Sequence, residues 1–418
     1  MHDGRLQSDG LDFRGMGDQT REIAQSHLHD ALKPLRITCA IYMLCSSPPS
    51  NLEPQTRRPI ITWLSGNWRP SILAIAMLAN IARSVGILGK LDRDDFPWVI
   101  GLVCVLWYCL CTIMHFGFWY GGGVSMIEKI LAGIQDDGLA FYSKADAEWL
   151  KRKTTRYVVF SNVLICVNCV AVAYSLFGPM EGLYNQLGVV MAYPSSGDMQ
   201  KDRGLCIAYV VLHVFNSAAW LVDATALGLL CRCLTHAFQQ LSTRVRAIEH
   251  WRRGANQDAL TVHEIRMIHK KLALRTAQAS KAFNPLLTTI FVIDLPLTVF
   301  LLFSLARPPS NGEVNETTSF FIMSLSIFWL ISGILHLGCV SMKAWRVEGA
   351  SVDIVVDLLE PEKTALLGME DKQELQLFLE SLRHKPIGFS VGHLLVTKAL
   401  LGTMTSIILT YFVALITI

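Results

Sequence analysis

The sequence has little charge for its length. Only 17% of its 418 residues are Asp, Glu, Lys or Arg, whereas 52% are hydrophobic. A soluble protein of this size usually carries about 25% charged residues. The net charge is only +3, and no basic cluster is interleaved with the aromatic residues that single-strand binders use for stacking, so we expect no nucleic-acid partner. The shortage of charge predicts a membrane protein.

The usual marks of secretion and of catalysis are also missing. Residues 1–25 are polar and lack the apolar core of a signal peptide, so we expect them to be retained and cytosolic. Most of the eleven cysteines lie in apolar runs, which predicts buried thiols. Cys231-x-Cys233 and His27-x-His29 have no second pair at a zinc spacing, so no metal site is expected. Without a phosphate loop, nucleophile elbow or HExxH motif, we expect neither an enzyme nor a cofactor.

Seven stretches are long and apolar enough for membrane-spanning helices, which need about 20 residues each. They cover residues 70–88, 97–120, 155–178, 205–233, 285–306, 318–342 and 392–417. A shorter apolar segment from Pro34 to Cys45 precedes them, and we interpret it as a re-entrant or surface helix. The predicted fold class is therefore an all-α polytopic membrane protein with seven transmembrane helices.

Lysine and arginine are distributed unevenly between the two sides of these spans. They are frequent before span one and after spans two, four and six, and the opposite loops contain only Lys90, Arg93, Lys201, Arg203 and Arg307. Because positive residues stay inside, the N-terminus is predicted to be cytosolic and the C-terminus extracellular. Asn315 begins the only N-x-Ser/Thr sequon and falls in a predicted outer loop, which makes it a candidate glycosylation site.

The spans and loops divide the chain into four predicted parts. Residues 1–69 form a cytosolic N-terminal segment, and 70–234 hold spans one to four as a ligand-binding bundle. Residues 235–284 form cytosolic amphipathic anchor helices. Residues 285–418 hold spans five to seven, with a cytosolic helix at 352–385 and a pore helix at 392–417. Apolar stripes at helical spacing run along both cytosolic helical parts: Phe238, Leu241 and Val245 in one, Leu375, Phe378 and Leu382 in the other. Such stripes either rest on lipid headgroups or form a collar that packs subunits together.

The last predicted span carries a face of hydroxyl groups. Thr403, Ser406, Thr410, Val413 and Thr417 follow one another in steps of three and four. This spacing places them on one side of a helix. Small hydroxyl residues can fill close contacts between helices, or they can line a water-filled pore with Val413 as its apolar constriction. Because one helix cannot enclose a pore, the second interpretation requires a symmetric oligomer.

Polar and aromatic residues inside the spans are candidates for a ligand site. His213, Asn216 and Trp220 share one face of the outer half of span four. The other candidates are Trp107, Tyr108, Asn168, Tyr174, Ser326 and Trp329. Aromatic walls with a few hydrogen-bonding groups suit a small polar or amphipathic molecule, and the alternative is that these residues only hold the helices together. Pro296 is expected to kink span five. Asp294, just before it, is either a hinge that couples the bundle to the pore helix or the partner of a neighbouring hydroxyl.

The segment from Gln376 to Ile418 resembles the C-terminal signature of arthropod gustatory receptors. That family shows Phe and Leu on a cytosolic helix, Gly-Phe before the last span, and a closing Thr-Tyr followed by five apolar residues and Gln-Phe. The matching residues here are Phe378, Leu382, Gly388, Phe389, Thr410 and Tyr411, with 412–416 as the apolar five. The final pair is Thr417-Ile418 instead of Gln-Phe. The family glutamine lines the pore near its outer end, so this difference leaves the ion selectivity open.

The resemblance implies a chemosensory receptor of the plasma membrane. It would be a ligand-gated, non-selective cation channel, a homo- or heterotetramer with the last span of each subunit around a central pore. Its partners would be a small-molecule tastant or metabolite, monovalent and divalent cations, and membrane lipid. Two alternatives stay open: a G-protein-coupled-type receptor, which would have its N-terminus outside, and a small-solute transporter, which would be expected to show repeated halves.

Overall fold

The computed structural model describes residues 18–44, 68–91, 96–137, 140–141, 143–178, 202–247, 261–306, 316–359, 367–384 and 386–417. Its helices in chain order are α1 (Asp18–Ile41), α2 (Trp68–Leu88), α3 (Phe96–Tyr120), α4 (Gly123–Asp136), α5 (Lys144–Phe177), α6 (Arg203–Ala247), α7 (Val262–Thr289), α8 (Leu295–Ala306), α9 (Glu316–Leu358), α10 (Met369–His384) and α11 (Lys398–Thr417). Two short strands, β1 (Ser390–Val391) and β2 (Leu394–Leu395), pair antiparallel between α10 and α11.

The described part of the chain contains six helical segments that are long and apolar enough to cross a membrane, with α7 and α8 counted as one. The first six predicted spans coincide with them. α11 is a further apolar helix, 20 residues long. The prediction of an all-α, multi-pass membrane fold is confirmed.

The N-terminal helix is longer than the sequence indicated. α1 begins at Asp18, well before the predicted short segment at 34–45, and Pro34 lies inside it. Its stripe of Leu28, Leu32 and Leu35 is buried in the main core, where α1 packs against α4 and α5. Because this buried stripe begins upstream of Pro34, the helix that carries it also begins before the proline.

A glycine turn after α3 directs the chain into α4, a helix that was not predicted. Gly122 and Gly123 adopt left-handed backbone conformations, with φ of 87° and 54°. A β-carbon on Gly121 would lie 2.7 Å from the backbone oxygen of Ala282 in α7. The glycines therefore allow both the reversal and the close approach of α3 to α7.

On the predicted cytosolic side, α6 and α9 continue well beyond their span ends and pack against each other. There α7 packs on α6, and α10 packs on α7. The predicted helix at 352–385 is two elements, because 352–358 belong to α9 and α10 begins at Met369. The stripe residues Phe238 and Phe378 are both buried and both contact the His269 ring, at centroid distances of 5.5 and 4.8 Å. The apolar stripes are thus covered within one chain.

A π-helical turn, Ile290–Asp294, joins α7 to α8 where the sequence predicted a proline kink. Asp294 is fully buried there, and its Oδ2 lies 2.6 Å from His336 Nδ1 on α9. π turns are rare and often occur at functional sites.

The last helix begins at Lys398 rather than at 392. Residues 390–395 form the hairpin instead, because Gly392 takes a left-handed turn conformation and Val396 N–H donates to the Phe389 oxygen. The side-chain amide of Asn284, at the predicted start of span five, donates to the oxygens of Ser390 and Gly392. The hairpin therefore fixes the start of α11 against α7.

Candidate functional site

A cavity lies inside the bundle between α3, α5, α6, α8 and α9. It is lined by Val103, Cys104, Trp107, Asn168, Tyr209, His213, Trp220, Leu297, Leu301, Trp329 and Gly333. Its volume is about 40 Å³. On the same measure one water needs roughly 10–15 Å³. The cavity as it stands therefore has room for only a few water molecules, and an organic ligand would have to enlarge it.

Asn168 on α5 ties three helices together at the cavity wall. Its Oδ1 accepts a hydrogen bond from Trp329 Nε1 on α9, at 3.0 Å. Its Nδ2 lies 3.0 Å from His213 Nε2 and donates to Ser217 Oγ at 2.9 Å, both on α6. Every polar atom of the buried amide thus has a partner, which fixes the side chains around it.

Aromatic rings form most of the rest of the wall. The Trp107 ring lies 4.7 Å from the His213 ring and 6.5 Å, edge-on, from the Trp220 ring. The Tyr209 ring is 5.8 Å from His213 and lies beneath the Arg83 guanidinium, which is 5.4 Å from its centroid. Such a wall suits a small, flat, largely apolar molecule.

The structure brings five of the nine predicted ligand residues to this cavity: Trp107, Asn168, His213, Trp220 and Trp329. The other four lie outside the lining. Tyr108 is buried with its hydroxyl against that of Tyr209, Asn216 and Ser326 are buried elsewhere, and Tyr174 is 38% exposed against the Phe321 ring.

Sequence reasoning did not identify six of the lining residues. Tyr209 stands four residues before His213 on the same helical face, so its spacing could have indicated it. Leu297, Leu301 and Val103 are ordinary apolar residues of their spans, and Cys104 and Gly333 are equally inconspicuous. Only the way the helices pack together brings these five residues to the cavity.

The buried pair Asp294–His336 lies next to the cavity. The His336 ring is 5.0 Å from the ring of Trp220, which also lines the cavity. Asp294 closes the π turn, and Leu297 and Leu301 follow it on α8. The cavity wall therefore includes α8 and is linked to the π turn through His336.

The five predicted pore residues all lie on the exposed side of α11. Thr403, Ser406, Thr410, Val413 and Thr417 are exposed. Each of the four hydroxyls donates to a carbonyl oxygen of the preceding turn of its own helix. The opposite face, formed by Leu400, Met404 and Ile408, packs on the core.

The residues of the C-terminal signature have different environments. Phe378 and Phe389 are fully buried and Leu382 packs against the same core. A β-carbon on Gly388 would lie 3.0 Å from the Leu395 side chain. Thr410 and Tyr411 are exposed on α11, and the candidate glycosylation residue Asn315 lies outside the described residues. Among the described residues, no group of three His, Cys, Asp or Glu is placed to hold a metal ion.

Comparison with known proteins shows which family model matches this chain and which solved structures have a similar fold. The family model described as 7tm Chemosensory receptor matches residues 139–418, more than half of the chain. No curated protein matches the chain. The fold is similar to that of the insect olfactory receptor OR5 from Machilis hrabei, with a TM-score of 0.69 and 12% identity over 94% of this chain and 98% of that one. A structure of that receptor in complex with eugenol gives a TM-score of 0.67 and 14% identity over 94% and 99%.

At this level of identity the structural similarity shows the fold alone. The family match covers the hairpin, α11 and four of the five helices around the cavity, α5, α6, α8 and α9. The resemblance drawn from residues 376–418 is confirmed at the level of the family. The chain belongs to the 7tm chemosensory receptor family and is a multi-pass receptor of the plasma membrane.

Proposed function

We propose that this receptor is a ligand-gated, non-selective cation channel of four subunits, with α11 of each subunit lining a central pore. Each subunit binds its own small-molecule ligand in the cavity between α3, α5, α6, α8 and α9. The gustatory-type C-terminal signature favours a tastant or an internal metabolite as the ligand. The eugenol complex of the olfactory receptor OR5 supports a small organic molecule.

The two-sided character of α11 carries this proposal. At 100° per residue, Thr410 on the hydroxyl face points about 120° away from Met404, which is buried against the core. The only buried residue among those of α11 with a described side chain is Met404. A polar face turned away from its own chain suits a water-filled path shared with other copies.

The hydroxyl face has suitable chemistry for weak cation coordination. Each hydroxyl oxygen keeps acceptor capacity after its proton is donated to the helix backbone. Neutral oxygens of this kind replace part of a hydration shell without holding the ion tightly. Val413 on the same face supplies an apolar ring in a symmetric assembly, which would close the path by dewetting.

α8 connects the ligand cavity to the pore helix. Leu297 and Leu301 form part of the cavity wall, and the same helix packs against α11. Because the cavity is only about 40 Å³, a bound ligand must displace part of its wall. Displacement of α8, with the π turn as its flexible end, would move α11 and open the constriction.

Cysteine accessibility tests the pore. In vesicles with a cationic, water-soluble thiol reagent on both sides, Thr410→Cys should react much faster than Phe412→Cys. The two positions have nearly the same depth, but Phe412 points about 160° away from Thr410 on the helix. Mass spectrometry of the modified peptides gives the rates, and the Phe412 variant also corrects for native cysteines. Equal rates at the two positions would place α11 in lipid and end the proposal.

A further inference from the structure

Two N–H groups of the cavity-lining residues have no hydrogen-bond partner among the described residues: His213 Nδ1 and Trp220 Nε1. Both side chains are buried, with 3% and 5% of their surface exposed. An unpaired buried donor is unfavourable, and such atoms in a native structure require an explanation.

The hydrogen-bond network around Asn168 determines that the His213 nitrogen is a donor. The indole Nε1–H of Trp329 can only donate, so the Asn168 atom that faces it is the carbonyl oxygen. The amide nitrogen therefore faces His213 Nε2, which must accept. In a neutral imidazole the proton then sits on Nδ1, the nitrogen without a partner.

The side-chain oxygens of the described lining residues and the Nε2 of His213 already have hydrogen-bond partners, and none of these residues carries a negative charge. The Asn168 oxygen is already bonded to Trp329, and the Tyr209 hydroxyl lies against that of Tyr108. None of the residues described as lining the cavity is acidic. The buried Asp294 carboxylate next to the cavity is paired with His336, and the Arg83 guanidinium lies over the Tyr209 ring.

From this pattern we infer the chemical class of the ligand: small, uncharged, largely aromatic or apolar molecules with a hydrogen-bond acceptor, such as ketones, esters or ethers. The inference rests on the proposed function, in which this cavity takes the agonist. His213 and Trp220 are two helical turns apart, about 10 Å along α6. One acceptor therefore pairs with one donor, and a longer molecule with an acceptor at each end can pair with both. An ammonium compound would contact aromatic rings in the cavity, but none of the described lining residues supplies a carboxylate to pair with its charge.

Equilibrium binding to the purified full-length receptor in nanodiscs tests this class. The probes are acetophenone, α-methylstyrene, which has C=CH₂ in place of C=O, and 1-phenylethylamine, which is cationic at neutral pH. Binding is measured from the shift of the unfolding temperature with probe concentration. The Kd of acetophenone should be about tenfold or more below that of α-methylstyrene, because the hydrocarbon leaves the N–H unpaired, and the amine should bind most weakly. Equal Kd values for the first two, tightest binding of the amine, or no binding of any probe would overturn the inference.

Variants assign the preference to the two donors. Trp220→Phe and His213→Phe each remove one N–H and keep a ring, and at least one of them should reduce the acetophenone preference to about twofold. Leu301→Val changes the wall without changing a donor, so it should alter both Kd values alike. Full preference in both aromatic variants would refute the assignment. Because the assay reads binding and not current, a receptor that discriminates the probes but conducts no ions would contradict the channel proposal alone.

Discussion

Replacement of Asn168 by leucine is the sharpest test of the cavity wall. The leucine has a similar size but removes three interactions, those with Trp329 Nε1, His213 Nε2 and Ser217 Oγ. Side-chain hydrogen bonds between membrane helices average about 0.6 kcal/mol each. The expected loss is therefore about 2 kcal/mol of unfolding free energy, from three bonds of that size.

Asn216→Leu is the matched control for this change. Asn216 lies on α6 and is 1% exposed, and neither polar atom of its amide has a partner among the described residues. Removal of an unsatisfied buried amide should leave stability unchanged or raise it. The same substitution is thus expected to destabilise at position 168 and not at position 216.

Both variants can be measured by reversible unfolding of the purified receptor in mixed micelles. If Asn168 acts through the cavity, Asn168→Leu should also weaken agonist potency and leave unitary conductance unchanged, because the pore face lies on α11. A loss below about 0.5 kcal/mol, less than one average bond, would show that the network does not hold these helices together. Equal destabilisation at position 216 would show that the loss does not come from the hydrogen bonds of Asn168. An altered conductance would show that Asn168 also acts on the pore.

Three further predictions concern the turn, the pore and the topology. Gly121→Ala should lower the free energy of unfolding by about 1–3 kcal/mol, because its β-carbon would meet the Ala282 backbone oxygen at 2.7 Å. Gly338→Ala is the control: a β-carbon there meets nothing within 4 Å, so it should raise that free energy by up to about 1 kcal/mol. Thermal unfolding measures both variants. Thr417→Gln restores the glutamine of the gustatory signature and should change conductance or the reversal potential in patch recordings, and identical permeation would remove position 417 from the pore. An N-terminal epitope tag should be reached by antibody only after cells are permeabilised, and staining of intact cells would favour the inverted topology of a G-protein-coupled-type receptor.

The long apolar runs predicted the architecture well because apolar composition is a local property of each span. Each membrane span must satisfy its own backbone and be apolar along its length, so six spans could be located from composition alone. The elements that were missed or shortened depend on special backbone conformations. The left-handed conformations at Gly122 and Gly392 produce α4 and the hairpin before α11, and a run of hydrophobic residues does not reveal them.

The sequence by itself determined that this chain is a bundle of membrane helices, that the last helix has a hydroxyl face, and that spans two to six contain aromatic and polar residues. It did not determine which of these residues meet. The pairing of Asn168 with Trp329 and of Asp294 with His336 joins residues 161 and 42 positions apart. Only the rotation and depth of each packed helix place Leu297 and Leu301 on the same cavity as His213, because contacts between helices depend on three-dimensional packing that no local spacing records.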